Sequence, residues 1–307
     1  MNVKKPQKAC NAELHLIKFP CIVFPKIDGV RGLKITPQFT GRTLKTFRNS
    51  NLTDKFSHPL LSGLDGELCF GDITSQSLCR DTTSYCNSYS HNTSSSLPDW
   101  YIFDFITPET ASLPYLKRWE LAQKYVAHLR DTYSELRFLQ TVPDARICNT
   151  IEEVEAAHSE FITARFEGTV GRSIFQPHKN GRATMLENAY WRIKDFVSEE
   201  GEIVSFEEAQ TNYNIATVNA LGLTERSSHK ENKAGNGMVG NIFIKRFSDG
   251  QYYTIGPGKL THKERIEYFN EPQRFIGKVC TFTHFPYGAK DKLRFGLFSN
   301  FRATEDL

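Results

Sequence analysis

Disulfide and metal-cluster chemistry find little to work with in this chain. It has seven cysteines, an odd number, and no two of them form a Cys-x-x-Cys pair. Zinc knuckles, redox dithiols and a disulfide framework are therefore disfavoured, and the thiols fit a reducing compartment. No apolar run approaches the length of a membrane span. The N-terminus opens basic, but Lys18 and Pro20 interrupt its apolar stretch, which makes it a poor secretory signal. No internal repeat is visible. Net charge is small as well, at +3, so the whole-chain balance selects no partner.

What is present is ordinary core material in quantity. Apolar residues make up 39% of the 307 positions, with 23 Phe and 12 Tyr, enough for two domains. The charge is also unevenly spread. Eleven Lys and Arg fall in residues 1–60, against only Glu13, Asp28 and Asp54. A basic lobe of that kind fits a phosphate-rich ligand, although solvated surface lysines explain it equally.

Up to about residue 75 the pattern predicts short strands and turns, including Leu64–Phe70 (LDGELCF). Residues 82–96 (TTSYCNSYSHNTSSS) are poor in apolar groups and read as a mobile loop. A strand Trp100–Ile106 follows, stopped by Pro108. Trp119, Ala122, Val126, Leu129 and Tyr133 recur at helical spacing, and Thr150 with Glu153 forms a capping box ahead of a second helix. His158 on that helix reads as a core residue. Beyond residue 200, strand-like runs lie near 202–206, 239–247, 251–255, 276–285 and 293–301, with a helix over His262–Phe269. Five strands with a helix between the third and fourth outline an OB barrel, a fold that commonly holds nucleic acid. Thr224–Gly237 reads as a long polar loop carrying Arg226 and Lys230.

The chemistry concentrates in Pro25-Lys26-Ile27-Asp28-Gly29-Val30-Arg31-Gly32. Asp-Gly between apolar positions predicts a hairpin turn. Such a turn aims Lys26 and Arg31 into one small volume, where a neighbouring cation and desolvation lower the lysine pKa and make its amine a nucleophile. Taken alone, the stretch equally fits a surface hairpin with two solvated cations. Further along come Arg42, Glu67 after a second Asp-Gly, Phe103 beside Asp104, Glu167 in Phe166-Glu167-Gly168-Thr169-Val170, and the alternating Arg192 and Lys194. One candidate nucleophile, several cations and two carboxylates suit nucleotidyl transfer, which needs in-line positioning and charge on the phosphate oxygens.

The order KxDGxR, DGE, aromatic-Asp, EGxV and basic-x-Lys resembles the covalent nucleotidyltransferases, and most closely the small bacteriophage-type ATP-dependent DNA ligases. The segments GRTLK, GLDGEL, NGRAT, ERSSHK and FPYGAKDKLRFGLFSNFR extend the likeness over nearly the whole chain. The resemblance implies an α+β fold. A nucleotidyltransferase domain of antiparallel sheets with flanking helices would span 1–199, and an OB-fold β-barrel 200–307. It implies that Lys26 attacks ATP and carries AMP, that Arg31 and Glu67 hold the ribose, and that Phe103 stacks on adenine. Glu167 would position Mg²⁺, Lys194 and Arg192 would neutralise the α-phosphate, and Arg42 would meet the 5′-phosphate of nicked duplex DNA. Arg226, Lys230, Lys290, Lys292 and Arg294 are the remaining DNA-binding candidates. A monomer in the cytoplasm of a bacterial or phage-infected cell is expected.

Three departures stand out. Val170 is followed by Gly171 and Arg172 where the family usually places Lys, Arg192 stands where many relatives have Lys, and the C-terminal pyrophosphate motif is not cleanly present. An RNA ligase or capping-type guanylyltransferase shares the lysine chemistry and is the enzymatic alternative. A non-catalytic nucleic-acid-binding module is the alternative of a different class.

Overall fold

The computed structural model describes residues 5–89, 96–289 and 292–302. The chain divides into two compact units, Met1–Lys194 and Asp195–Leu307. Among the described residues, no helix is long and apolar enough to cross a membrane.

In chain order the first unit carries β1 (Gln7–Lys8), β2 (Cys10–Asn11), β3 (Cys21–Pro25), β4 (Val30–Leu33), β5 (Thr40–Gly41), β6 (Leu64–Cys69), β7 (Asp99–Phe105), β8 (Leu139–Thr141), β9 (Arg146–Cys148), β10 (Thr169–Ser173), β11 (Gly181–Arg182) and β12 (Tyr190–Ile193). Helices α1 (Ser50–Phe56), α2 (Leu78–Asn87), α3 (Tyr115–Thr132) and α4 (Ile151–Thr163) interleave with them. The strands form two five-stranded sheets, ordered β2-β12-β10-β3-β9 and β5-β4-β6-β7-β8, and a short pair β1-β11. Pairing is antiparallel except for β1 on β11, β2 on β12 and β7 on β8.

This topology corrects the hairpin expected at Asp28-Gly29. Strands β3 and β4 belong to different sheets, so the segment between them is a crossover. Gly29 is needed there for space rather than for a turn: a Cβ would lie 2.2 Å from Leu68 O and 2.9 Å from Glu67 Cγ. The second Asp-Gly is no turn either. Gly66 lies inside β6, where a Cβ would meet Tyr101 O at 2.5 Å.

Strand alternation distributes the core over two faces of β7. Trp100 and Ile102 join Leu52, Phe56, Val126 and Leu129 from α1 and α3. Tyr101 and Phe103 face the other cluster, with Phe24, Trp119, Phe161 and Trp191. Helix α3 places Trp119, Ala122, Val126 and Leu129 inward as its periodicity required, but Arg118 is fully buried on the same face.

Helix α4 starts at Thr150, whose side chain accepts from Glu153 N–H at 3.3 Å, while Glu153 reaches the Asn149 N–H at 2.6 Å instead of closing the box on Thr150. It ends in a Schellman arrangement with Arg165 at φ 69°. Phe166 N–H donates to Phe161 O at 3.0 Å, Arg165 N–H donates to Ile162 O at 2.9 Å, and the two Phe rings meet edge to face. That ending aims the next residue, Glu167. His158 is half-buried, its Nδ1 lying 2.8 Å from Thr169 Oγ1.

The loop expected over 82–96 is partly wrong. Residues up to Asn87 are the second half of α2, held by the buried Leu78, Thr82 and Cys86 at four-residue spacing, a stripe that Ser and Thr composition conceals. Residues 90–95 of that stretch lie outside the described residues. Helix α1, capped by Asn49 accepting from Leu52 N–H at 3.1 Å, stands in a region read as strands and turns.

The second unit holds β13 (Val197–Asn212), β14 (Ala216–Val218), β15 (Thr224–Arg226), β16 (Lys233–Arg246), β17 (Tyr252–Ile255), α5 (His262–Asn270), β18 (Val279–Ala289) and β19 (Lys292–Phe301). Its main sheet is antiparallel with order β17-β16-β13-β18-β19, over a core that includes Ile203, Ile242, Ile244, Phe275 and Phe282. Helix α5 falls between the third and fourth strands of this sheet and opens with a Thr261–Glu264 capping box. Among the described residues the two edges meet at a parallel bridge, Gly256 with Leu297, and Lys259 N–H donates to Phe298 O at 3.1 Å just beyond it. No continuous ladder among those residues joins β17 to β19, so the sheet is not a closed barrel. The overall class is mixed α/β.

The loop expected over Thr224–Gly237 is also corrected. Thr224–Arg226 pairs with Ala216–Val218, and Lys233 already belongs to β16. Arg226 donates to Asn214 O, and Asn214 also donates to Ser227 O at 3.1 Å and His229 O at 2.9 Å. Side-chain amides therefore order a segment whose apolar content predicts no structure.

Candidate active site

Three neighbouring strand ends create the site. In the order β12-β10-β3, Thr169 is opposite both Ile193 and Pro25. Lys26 follows β3, Glu167 precedes β10 and Lys194 follows β12, so antiparallel pairing brings all three to one end of the sheet. Two backbone bonds extend the β3–β10 ladder by one step: Lys26 N–H to Gly168 O at 2.8 Å, and Glu167 N–H to Lys26 O at 3.0 Å. Gly168, at φ 151°, permits the close approach of β12, where a Cβ would lie 2.2 Å from Ile193 O.

The side chains then form one ionic group. Lys26 Nζ donates to Glu167 Oε2 and Lys194 Nζ donates to Glu167 Oε1. The glutamate side chain is 1% exposed, the lysines 20% and 14%. Burial alone would raise the Glu167 pKa, but the two ammoniums outweigh it and hold the carboxyl below its usual range. For Lys194, burial and repulsion from Lys26 lower the pKa.

Lys26 contradicts the lowered pKa expected from the sequence. Burial pulls it down, but Glu167, Glu67 and Asp28 outweigh that, and the net direction is up. Arg31, the cation expected to lower it, is engaged by other groups. Its guanidinium is taken bidentately by Asp65, at 2.9 and 2.6 Å, and donates to Gln7 O at 2.6 Å. In this state Lys26 is an ammonium within an acidic surround.

Arg31 and Glu67 are directly opposed in the β4–β6 ladder. Burial pushes the Glu67 carboxyl up to about 7, with Lys26 and Arg31 opposing and Glu167 and Asp28 adding to the rise. Phe103 occupies a register break in the β6–β7 ladder, which passes from Asp65 opposite Asp104 to Gly66 opposite Ile102. Its carbonyl accepts from Tyr115 OH at 2.6 Å, and its ring lies 5.3 Å from the Arg31 guanidinium.

Other candidates are placed apart. Arg192 donates to Asn11 Oδ1 at 3.1 Å and does not join Lys194 at Glu167. Arg42 is exposed in the turn after β5. It belongs to the basic lobe expected over residues 1–60, which Arg182 joins from β11: burial lowers the Lys8 pKa, and Arg42, Arg31, Arg182 and Lys5 lower it further. In the second unit Arg226, Lys230 and Lys292 are exposed, and the Arg294 guanidinium lies 5.3 Å from the Phe285 ring and 5.2 Å from that of Phe295. Lys290 lies outside the described residues.

A second ionic group was not foreseen. Asp104 is fully buried and receives Arg118 at 2.8 and 3.2 Å and Arg172 at 2.7 Å. Burial would raise its pKa, but the two arginines hold it at about 2. The available signal was a charged residue on each apolar face, Asp104 within a strand of aromatics and Arg118 between Tyr115 and Trp119.

A ladder-end lysine paired with a carboxylate thus lies beside an opposed Arg–Glu pair and an aromatic ring, and solved structures similar to this chain are DNA ligases. Among solved structures the chain is similar to a Chlorella virus DNA ligase-adenylate, with 25% identity, coverage of 99% of this chain and 100% of that one, and a TM-score of 0.53. It shares its fold with a Lig E DNA ligase at 17% identity and TM-score 0.71, covering 98% and 100%. A third structure, Pmar-Lig, gives 18% identity and TM-score 0.72, covering 98% of this chain and 68% of that one. No family profile and no curated protein matches the chain.

Proposed function

We propose that this chain is an ATP-dependent DNA ligase that seals nicks in duplex DNA through an adenylate carried on Lys26. The observation that supports this most is the convergence of Lys26, Glu167 and Lys194 at one sheet end, in a chain similar over its whole length to a ligase-adenylate.

Lys26 must first lose its proton. Its amine nitrogen then attacks the α-phosphorus of ATP, the N–P bond forms, and the bond to pyrophosphate breaks. Lys194, released from Glu167, meets the charge growing on the α-phosphate. Arg31, immobilised by Asp65, and Glu67 opposite it are set to hold the ribose hydroxyls, with Phe103 against the base. The 5′-phosphate of the nick, held by Arg42, next attacks the adenylate and frees Lys26. The 3′-hydroxyl then displaces AMP to close the strand.

Mg²⁺ fits the donor set. Among the described residues no three His, Cys, Asp or Glu side chains form a cage. Mg²⁺ in nucleotide enzymes is typically held by one or two carboxylates together with substrate phosphates, and Glu167 supplies one carboxylate. When bound, the ion would take up charge from phosphate oxygens.

We assign the second unit to an OB-type domain, from its strand order and the position of α5. Its exposed Arg226, Lys230 and Lys292 would add DNA contacts as a monomer encloses the nick. The affinity should then fall with salt, by about 0.9 in log–log slope for each phosphate neutralised.

The test is incubation with ATP labelled at the α-phosphate, then a denaturing gel. Label is expected on the wild type and absent from Lys26→Ala. Label that persists in Lys26→Ala, or none on the wild type, would sink the proposal. Preference for labelled GTP would favour a capping-type enzyme, and sealing of nicked RNA alone would favour an RNA ligase.

A further inference from the structure

Arg172 stands where the resemblance leads one to expect Lys, and the mechanism above leaves it unused. We propose that Arg172 is a positioning residue for nucleotide binding, acting by holding the ring of Phe103 in place. The inference rests on the ligase reading.

Arg172 lies in β10, five residues beyond Glu167, with its side chain 2% exposed. Its guanidinium carbon sits 3.9 Å from the ring centre of Tyr190, 4.4 Å from that of Tyr115 and 5.7 Å from that of Phe103. Nη1 donates to Asp104 at 2.7 Å, while Nη2 makes no hydrogen bond among the described residues. Several restraints on Phe103 therefore involve Arg172 or a group it touches, beside the Arg31 guanidinium 5.3 Å from the ring and the packing of the surrounding core. The next residue in the chain is Asp104, its partner. The Phe103 carbonyl is held by Tyr115, whose ring it covers. The register break at Phe103 removes the ladder bonds that would otherwise fix that residue.

Only a planar cation satisfies these contacts together. A guanidinium stacks flat on two tyrosines while donating in its own plane to a carboxylate. An ammonium keeps the charge but loses the stacking and the fork. Arg172→Lys thus preserves the ion pair with Asp104 and releases the ring.

Single-turnover labelling at varied ATP tests this in Arg172→Lys and in Tyr190→Leu, which frees the same guanidinium without touching Asp104. The ATP concentration for half-maximal rate should rise about fivefold to tenfold, the size of a lost aromatic contact, with the limiting rate within about twofold. In a Phe103→Leu background, the further effect of Arg172→Lys should disappear, because the ring it holds is gone. Unchanged half-saturation, a loss confined to the limiting rate, or an equal effect without Phe103 would overturn the inference. Absence of label on the wild type would instead overturn the ligase reading itself.

Discussion

Two carboxylates in the first unit each lie between two cations, yet they are built for opposite ends. Glu167 receives two lysines and Asp104 receives two arginines. The arginines are 1% and 2% exposed and bind Asp104 at three points. Both also touch aromatic rings, so no water or ligand can take their place. The lysines each make a single contact to Glu167 and keep a path to solvent. An ammonium on a flexible stem can leave, and its pKa answers to its neighbours; a guanidinium does neither. The difference separates a group that can do chemistry from one that holds the scaffold.

Neutralising each carboxylate should separate the two roles most widely. Asp104→Asn leaves two buried guanidiniums uncompensated and is expected to cost about 3–5 kcal/mol of stability, read by urea denaturation. Glu167→Gln should cost less, about 1–2 kcal/mol, because both lysines can turn to water. The ranking for labelling reverses among folded proteins: Glu167→Gln should fall to background, while any Asp104→Asn that folds keeps a measurable rate. Equal losses of stability would erase the distinction.

A smaller effect concerns the proton on Lys26. Repulsion between Lys26 and Lys194 is mutual, so Lys194→Met removes a positive neighbour and should raise the Lys26 pKa further. Labelling by the variant should be weakest near neutrality and recover as pH rises, with its basic limb displaced upward from the wild type. A profile lowered uniformly at every pH would mean that Lys194 acts on the phosphate alone.

The smallest expected effect is on stability, through Glu67. Its carboxyl is neutral in both states at low pH. Above about 4.5 the unfolded chain releases the proton while the folded chain keeps it until about 7, so stability falls across that window. Glu67→Gln has nothing to ionise. Its melting temperature relative to the wild type should therefore rise between pH 4.5 and 7 and then level off. A constant difference across that range would place Glu67 in water.

Much of this was legible in the chain and some was not. The helical faces of α3 and α4 follow from apolar spacing, and the five strands of the second unit's main sheet and its helix follow from runs of apolar residues. Lys26, Glu167 and Lys194 were singled out by order along the chain. Arg192 was grouped with Lys194 by alternation, but alternation says nothing about Asn11, which holds it. The ribbon at Arg226 was missed because side-chain amides, rather than apolar burial, complete its structure, and the latter half of α2 because its buried stripe of Leu78, Thr82 and Cys86 is hidden among Ser and Thr.

The sequence by itself determined which residue types are available and their order: a lysine before Asp-Gly, an Arg–Glu pair, an aromatic beside an acid, and a distant Glu-Gly and Lys. Local pattern sufficed for that because each motif is a few residues long. Only the tertiary structure decided that β3 and β4 enter different sheets. Strand partners are chosen by packing across the whole unit, not by the turn between neighbours. That choice sends Arg31 to Asp65, leaves Lys26 to Glu167, and reverses the direction of the lysine's pKa.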